Sequence, residues 1–292
     1  MSVYPPIRAV VAERLIFNYR LPLDAMKDLL PGGAHTASGG RLEAQDINGY
    51  AVASFCALDL RNITFSPLPA VAGFRSISCA PRYAVADTSS GTPRPVVFVS
   101  TRFTNCILGS LLTRLSCVAP HPYAAARIAH EGREIELNID GAEAKFHCRM
   151  RPARDVRSRL FSSAEEFAAF IAQGVSSYGE CRLTRTGGCA SSTAYQTGGC
   201  ASSTSCLTCI DLKKTDAGYE PLDVLALRSP IADQWERLGG VLDSAFRTYA
   251  GLYEWSYRGL VECRSLQPVQ ERWDRARMDR SAPPVVLGGL PR

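Results

Sequence analysis

The side chains best equipped for chemistry in this 292-residue chain are a sparse set of lysines, a scatter of arginines and a crowd of cysteines. The tandem Lys213-Lys214 is the first candidate. An amine becomes a nucleophile when burial or a neighbouring cation lowers its pKa. The pair lies in CLTCIDLKKTD, beside Asp211 and Asp216. Strand alternation puts Lys214 on a face with Ile210 and Leu212, and Lys213 on a face with Asp211. Because lysines are rarely buried, the expectation for the pair is a solvated strand end. Lys145 alternates with Glu143, His147 and Arg149, an ordinary polar sheet face.

Cys181, Cys189, Cys200, Cys206 and Cys209 crowd one segment, and the last two form a CxxC. Zinc takes four nitrogen or sulfur ligands, commonly from two such pairs. One close pair with no histidine nearby falls short, so no metal is expected, with Cys206 and Cys209 as the alternative ligands. Cys189 and Cys200 hold the same position in a tandem repeat, TGGCASSTAYQ followed at once by TGGCASSTSCL. Gly, Ser and Thr of low complexity bury too little apolar surface to order a segment, so residues 182–207 read as a flexible loop. No glycine-rich phosphate loop follows a strand and opens a helix, and GxSxG is absent, which removes nucleotide and α/β-hydrolase chemistry.

Composition narrows the class. With 46% hydrophobic and 21% charged residues the chain can bury a core. The net charge of +5 comes almost wholly from dispersed arginine, since only Lys27, Lys145, Lys213 and Lys214 are lysines. Nucleic-acid binding needs cations gathered on one face, so no nucleic-acid partner is expected. The N-terminus lacks the pattern of a signal peptide, and no apolar run approaches the ~20 residues of a membrane span, so the expectation is a cytoplasmic protein with no membrane partner. In that compartment the eleven cysteines are expected as free thiols; Cys56, Cys79, Cys106, Cys148 and Cys263 sit in apolar or alternating runs.

The elements that must position these groups are mostly strands. AVVAERLIFNYRLP is β-branched and aromatic, and PLDAMKDLLPGG follows as a short helix. GRLEAQDINGYAVASFCALDLRNITF reads as two strands joined at Asn48-Gly49. SISCAPRYAVAD and RPVVFVSTRF are strands, and NCILGSLLTRL is an amphipathic helix capped by Asn105. PYAAARIAHEG, REIELNID and AEAKFHCRMRP form a meander. FSSAEEFAAFIAQG carries two capping boxes, Ser162 with Glu165 and Ser163 with Glu166, ahead of a Phe167, Phe170, Ile171 stripe. CLTCIDLKK and YEPLDVLALR are strands. Trp235, Leu238, Leu242 and Phe246, roughly four apart, predict a second long helix over 233–249, and WSYRGLVECRSL returns as a last strand. The one domain is expected to run over 1–265, with 266–292 as a flexible tail.

Five stretches in order, RLIFNYRLPLDAMKDLLP, INGYAVASFCALDLRNITFSPLPAVAGFRS, RSRLFSSAEEFAAFIAQGVSSYGE, DLKKTDAGYEPLDV and DSAFRTYAGLYEW, resemble the YqjF-like family over about residues 8 to 262. That family looks like a relative of acetoacetate decarboxylase. The resemblance implies a mainly β (α+β) chain: an acetoacetate decarboxylase-like β-barrel or two-sheet fold with a few flanking helices and a pocket inside the sheet.

The resemblance also implies where chemistry would lie. Acetoacetate decarboxylase uses a Schiff-base lysine, which this likeness would place near SCVAPHPYAAARI, where there is none. His121, between two prolines, and Tyr123 stand there instead, as an acid or base and a donor. Arg75, Arg82, Arg102, Arg114 and Arg127 fall in or beside the segments that would line the pocket, and an arginine can hold a carboxylate through paired hydrogen bonds. Glu220, Asp223 and Glu254 lie in strongly resembling stretches, with Glu220 a catalytic candidate and a role in fixing strand ends its counterpart. The expectation is therefore a small-molecule pocket protein acting on a carboxylated or carbonyl metabolite without a Schiff-base lysine and without a cofactor. Its partner would be a small organic acid, and assembly as a homo-oligomer is compatible with it. The alternative is a non-catalytic binding or structural protein that retains the barrel.

Overall fold

The computed structural model describes residues 5–30, 42–88, 91–115, 121–174, 176–181, 206–216 and 218–262, with main chain only at 112, 114, 115, 180, 181, 206, 207, 250 and 259–262. The expected tail at 266–292 and nearly all of the repeat at 182–207 lie outside the described residues.

Strand β1 (Ile7–Leu21) is the hub. It pairs antiparallel with β3 (Ala51–Phe65) on one side and with β13 (Val241–Glu262) on the other. From β3 the sheet continues through β4 (Phe74–Asp87), β5 (Arg94–Val99), β10 (Ser176–Cys181) and β11 (Cys206–Thr215), and β11 pairs with β13. The ring therefore closes: seven strands make a barrel, and closure leaves no unpaired edge among them. Only the β5–β10 pairing in this ring is parallel. Two short strands, β2 (Leu42–Ala44) and β6 (Phe103–Thr104), pair with β4.

The first part of β13 also pairs with β12 (Glu220–Arg228), from which β9 (Lys145–Pro152), β8 (Glu134–Asp140) and β7 (Ala125–Glu131) continue as the expected meander. This extension packs on the ring's outer face. Phe146 of β9 stacks on Phe55 at 4.1 Å and leans on Phe17 at 5.0 Å. Trp235 of α4 (Pro230–Arg237) meets Tyr19 and Tyr83 there. The mainly β fold with a closed barrel and few helices, α1 (Met26–Leu29), α2 (Ile107–Leu115), α3 (Ala164–Gln173) and α4, is as the sequence implies.

Alternation divides the core in two. On β1, Leu15, Phe17, Tyr19 and Leu21 join the outer cluster with Phe55, Phe98, Phe146 and Trp235. Ile16 joins the inner cluster with Val52, Cys56, Leu58, Ala84 and Phe246, which Phe161 and Phe167 close over. The Phe167 ring of α3 stacks on Phe246 at 3.9 Å. Ser163 caps α3 by accepting a hydrogen bond from the Glu166 amide, and the Glu166 carboxylate reaches back to the Ser162 amide. Cys56, Cys79 and Cys148 are buried free thiols.

Three local expectations are corrected. The long helix over 233–249 is α4 followed by β13: Gly239, at φ 80°, and Gly240, whose Cβ would meet the Trp235 carbonyl, stop the helix. A four-residue spacing fits one face of a strand as well as of a helix, which is why the period misleads. Asn48-Gly49 does form the tight turn, both at positive φ, yet β2 pairs with β4 and not with β3. Ahead of α2, Asn105 Oδ1 accepts from the Ile77 amide, while Cys106 Sγ accepts from the Gly109 amide in the capping place. No helix among the described residues is long and apolar enough to cross a membrane.

Candidate functional site

The inner face of the barrel turns polar halfway along. Arg14 and Ile16 of β1, Ser54 and Cys56 of β3, Arg82 and Ala84 of β4, Val97 of β5, and Leu212 and Lys214 of β11 line one chamber, which Phe170, Ile171 and Gly174 cover from the α3 side. Its free interior is about 50 Å³, room for about four water-sized molecules. A ligand there is small.

Four basic or nucleophilic groups from four strands meet in this space. Arg14, 3% exposed, donates from Nε to Cys56 Sγ at 3.3 Å and from Nη1 to the Tyr253 hydroxyl at 2.9 Å. The Tyr253 and Tyr219 hydroxyls each donate to Asp216, at 2.6 and 2.5 Å, and Lys214 Nζ is 3.0 Å from the same carboxylate. Arg82 Nε is buried with no hydrogen-bond partner. A buried donor without a partner is costly, so it marks a place for an acceptor.

The electrostatics follow from this crowding. Burial, with Arg14 and Arg82 nearby, lowers the Lys214 amine to about 8 against the pull of Asp216. Burial alone would raise the Cys56 thiol, but the charges of Arg82 and Arg14, the Arg14 hydrogen bond and Lys214 outweigh it and bring it below the ordinary thiol value. Burial lowers Arg82, with Arg14 adding to the effect. The Asp216 carboxyl is held below its usual range: burial opposes this, and the two tyrosine hydrogen bonds and Lys214 prevail.

Beside the chamber, Arg102 follows β5 and lays its guanidinium against Gly179, with Nη2 3.4 Å from Ser177 Oγ. Burial and the Arg82 charge lower it to about 10. His121 stands next: loss of water around its ring, with Arg102 adjacent, pushes it down to about 3, so the imidazole is neutral at physiological pH.

Of the candidates named from sequence, the structure thus gathers Arg82, Arg102 and His121. The others lie elsewhere. Arg75 forms a paired hydrogen bond with Asp59 at 3.0 and 2.8 Å and is solvent-facing. Tyr123 is 48% exposed. Arg127 is exposed on β7. Glu220 is ion-paired to Arg247, which ties β12 to β13. The side chains of Arg114 and Cys206 lie outside the described residues, and Cys209 is half-buried at the rim of the outer cluster. No group of three metal-ligating side chains occurs among the described residues.

Lys214 corrects the solvated-strand-end expectation. Its side chain is 9% exposed, while Lys213, the next residue, is 83% exposed and pairs with Glu254. The signal was its face-sharing with Ile210 and Leu212. Arg14, set among Val11, Leu15 and Ile16, carried a similar one and was overlooked, as were Cys56 and Asp216.

No family model matches the sequence, and no curated protein matches it. Solved structures do match. Acetoacetate decarboxylase from Legionella pneumophila superposes with a TM-score of 0.56 at 13% identity, over 91% of this chain and 90% of that one. An acetoacetate decarboxylase-like enzyme from Sphingomonas wittichii RW1 gives 0.53 at 15% identity, over 89% and 94%. The enduracididine biosynthesis enzyme MppR complexed with pyruvate gives 0.53 at 10% identity, over 90% and 92%. At these identities the likeness is one of architecture, and the chain has the fold of the acetoacetate decarboxylase-like proteins.

Proposed function

We propose that the barrel chamber takes a small carbonyl-bearing organic acid, with its carboxylate on Arg82 and its carbonyl carbon facing the Lys214 amine. The observation that carries this reading is Lys214 itself, a buried lysine lowered to about 8 between two arginines. At pH 7 about a tenth of such an amine is unprotonated, against well under a thousandth for an ordinary lysine. Arg82, with an unused buried donor, supplies the anion site. The amine adds to the carbonyl carbon, the oxygen takes up protons, and water leaves to give an iminium that withdraws electrons from the adjacent carbon. Tyr219 and Tyr253 fix Asp216, and Asp216 holds Lys214 in place.

This differs from the sequence expectation of carbonyl chemistry without a Schiff base. That expectation rested on the lack of lysine near 116–128; here β11 brings one in from elsewhere. That a fold neighbour is described as complexed with pyruvate agrees with an oxo acid as ligand. Kinship with YqjF-like proteins is proposed on the five resembling stretches alone.

Borohydride reduction in the presence of pyruvate, followed by peptide mass spectrometry, tests the reading. A reduced adduct on Lys214, lost in Lys214→Ala and kept in Lys213→Ala, is expected. If pyruvate binds and no adduct forms at any pH from 6 to 9, the non-catalytic binding reading replaces it.

A further inference from the structure

Several arginines of this fold meet acids: Arg20 pairs with Asp243, Arg75 with Asp59, Arg247 with Glu220 and Arg258 with Asp211. Among the described residues, the partly buried Arg82 and Arg102 do not: neither has a carboxylate within ion-pair distance. Arg82 Nε has no partner at all, and the guanidinium of Arg102 is met by the Ser177 hydroxyl at 3.4 Å. A guanidinium lowered by the charge of a second one, both partly withdrawn from water, is a repulsive arrangement that an anion relieves.

Their relative placement follows from the strand register. Arg82 pairs with Val99 across β4 and β5, and Val99 pairs with Gly179 across β5 and β10. Directly paired residues point to the same face of a sheet, so Arg82 and the vacant side-chain place of Gly179 lie in one row on the chamber side. Two strand spacings, ~10 Å, separate their backbones. The Arg102 head fills the place that a Gly179 Cβ would occupy. Arg82 starts from one end of that row and the Arg102 head lies at the other, near enough for the Arg82 charge to act on it.

We infer that Arg102 is a second acid subsite, so that the preferred ligand of the chamber is a small 2-oxo dicarboxylate, one carboxylate on Arg82 and the other on Arg102. This rests on the proposed function above and specifies its substrate class. Gly179 acts as a positioning residue, its missing Cβ making room for the guanidinium. His121, neutral beside Arg102, presents a ring that a second carboxylate draws towards protonation.

The test compares two acids of the same chain length, 2-oxoglutarate and 2-oxopentanoate, which differ in the terminal carboxylate, by calorimetric titration of the full chain. Wild type binds the diacid at least about tenfold more tightly. Arg102→Gln brings the two affinities together by weakening the diacid alone. Gly179→Ala displaces the far end of the Arg102 side chain and presses at 3.2 Å on the buried Thr208 hydroxyl, so it lowers the diacid preference more than it weakens 2-oxopentanoate. NMR gives an independent reading: 2-oxoglutarate raises the His121 pKa and 2-oxopentanoate does not. Equal affinities in wild type, or an Arg102→Gln variant that weakens both acids alike, overturn the second subsite and leave the chamber standing. Binding of neither acid to wild type overturns both.

Discussion

The two faces of the same barrel strands do different work. Outward, Phe17, Tyr19, Phe55, Tyr83 and Phe98 form a dry aromatic layer with Phe146 and Trp235. Inward, one residue away along each strand, Ser54, Cys56 and Arg82 face Arg14 and Lys214. A period of two lets β1, β3 and β4 contribute to both. The outer layer is rich in large apolar area, which stabilises by burial. In the inner layer charged groups lose water for incomplete compensation, an arrangement that folded chains keep where it serves chemistry.

If that division holds, the largest effect on stability comes from the outer face. Phe55→Ala removes the ring stacked at 4.1 Å on Phe146 and leaves a void in a close-packed layer; a loss of about 3–5 kcal/mol is expected. Chemical denaturation measures it, and a loss under about 1 kcal/mol would show that the outer layer does not dominate.

A smaller effect, on reactivity and not on fold, comes from inside. Asp216 raises the Lys214 pKa, so Asp216→Asn should lower it and move the pH midpoint of borohydride-trapped adduct below about 8. The free-amine fraction at pH 7 then rises, by about threefold out of the tenfold available. With the folded pKa of native Lys214 depressed below the unfolded 10.5, the folded state favours the neutral amine, and stability gains as pH rises from about 8 towards 10.5. The Asn variant should begin that gain at lower pH. A midpoint that rises or stays fixed would separate Asp216 from the amine.

The smallest effect belongs to an arginine on neither layer. Arg75 is 62% exposed and its pair with Asp59 is solvent-screened, so Arg75→Ala should cost less than about 1 kcal/mol and leave acid binding unchanged. A tenfold loss of pyruvate affinity in this variant would place the anion site on the surface.

Much of this architecture was legible because its signals are local. The 15-residue β1, the meander of β7 to β9 and the cap of α3 at Ser163 all depend on neighbours a few residues apart. The site was legible in part. Arg82, Arg102 and His121 fell within segments singled out by resemblance, but Arg75, Arg127 and Tyr123 fell there too and face water. An arginine beside apolar residues on a strand looks the same in sequence whether its face is inside a barrel or outside. Lys214 shows the limit most clearly: Lys213 and Lys214 are adjacent and identical in type, and they differ roughly ninefold in exposure because one faces the chamber and one faces solvent.

By itself the sequence determined the alternating strands, the caps and turns, and the supply of arginine and cysteine that any site here must use. Tertiary structure alone decided that Arg14, Cys56, Arg82 and Lys214, up to 200 positions apart, share one enclosure. Closure of β1 on both β3 and β13 rolls the sheet into a ring, and only then does one face of every strand become an interior, with the water removed and the charges forced together.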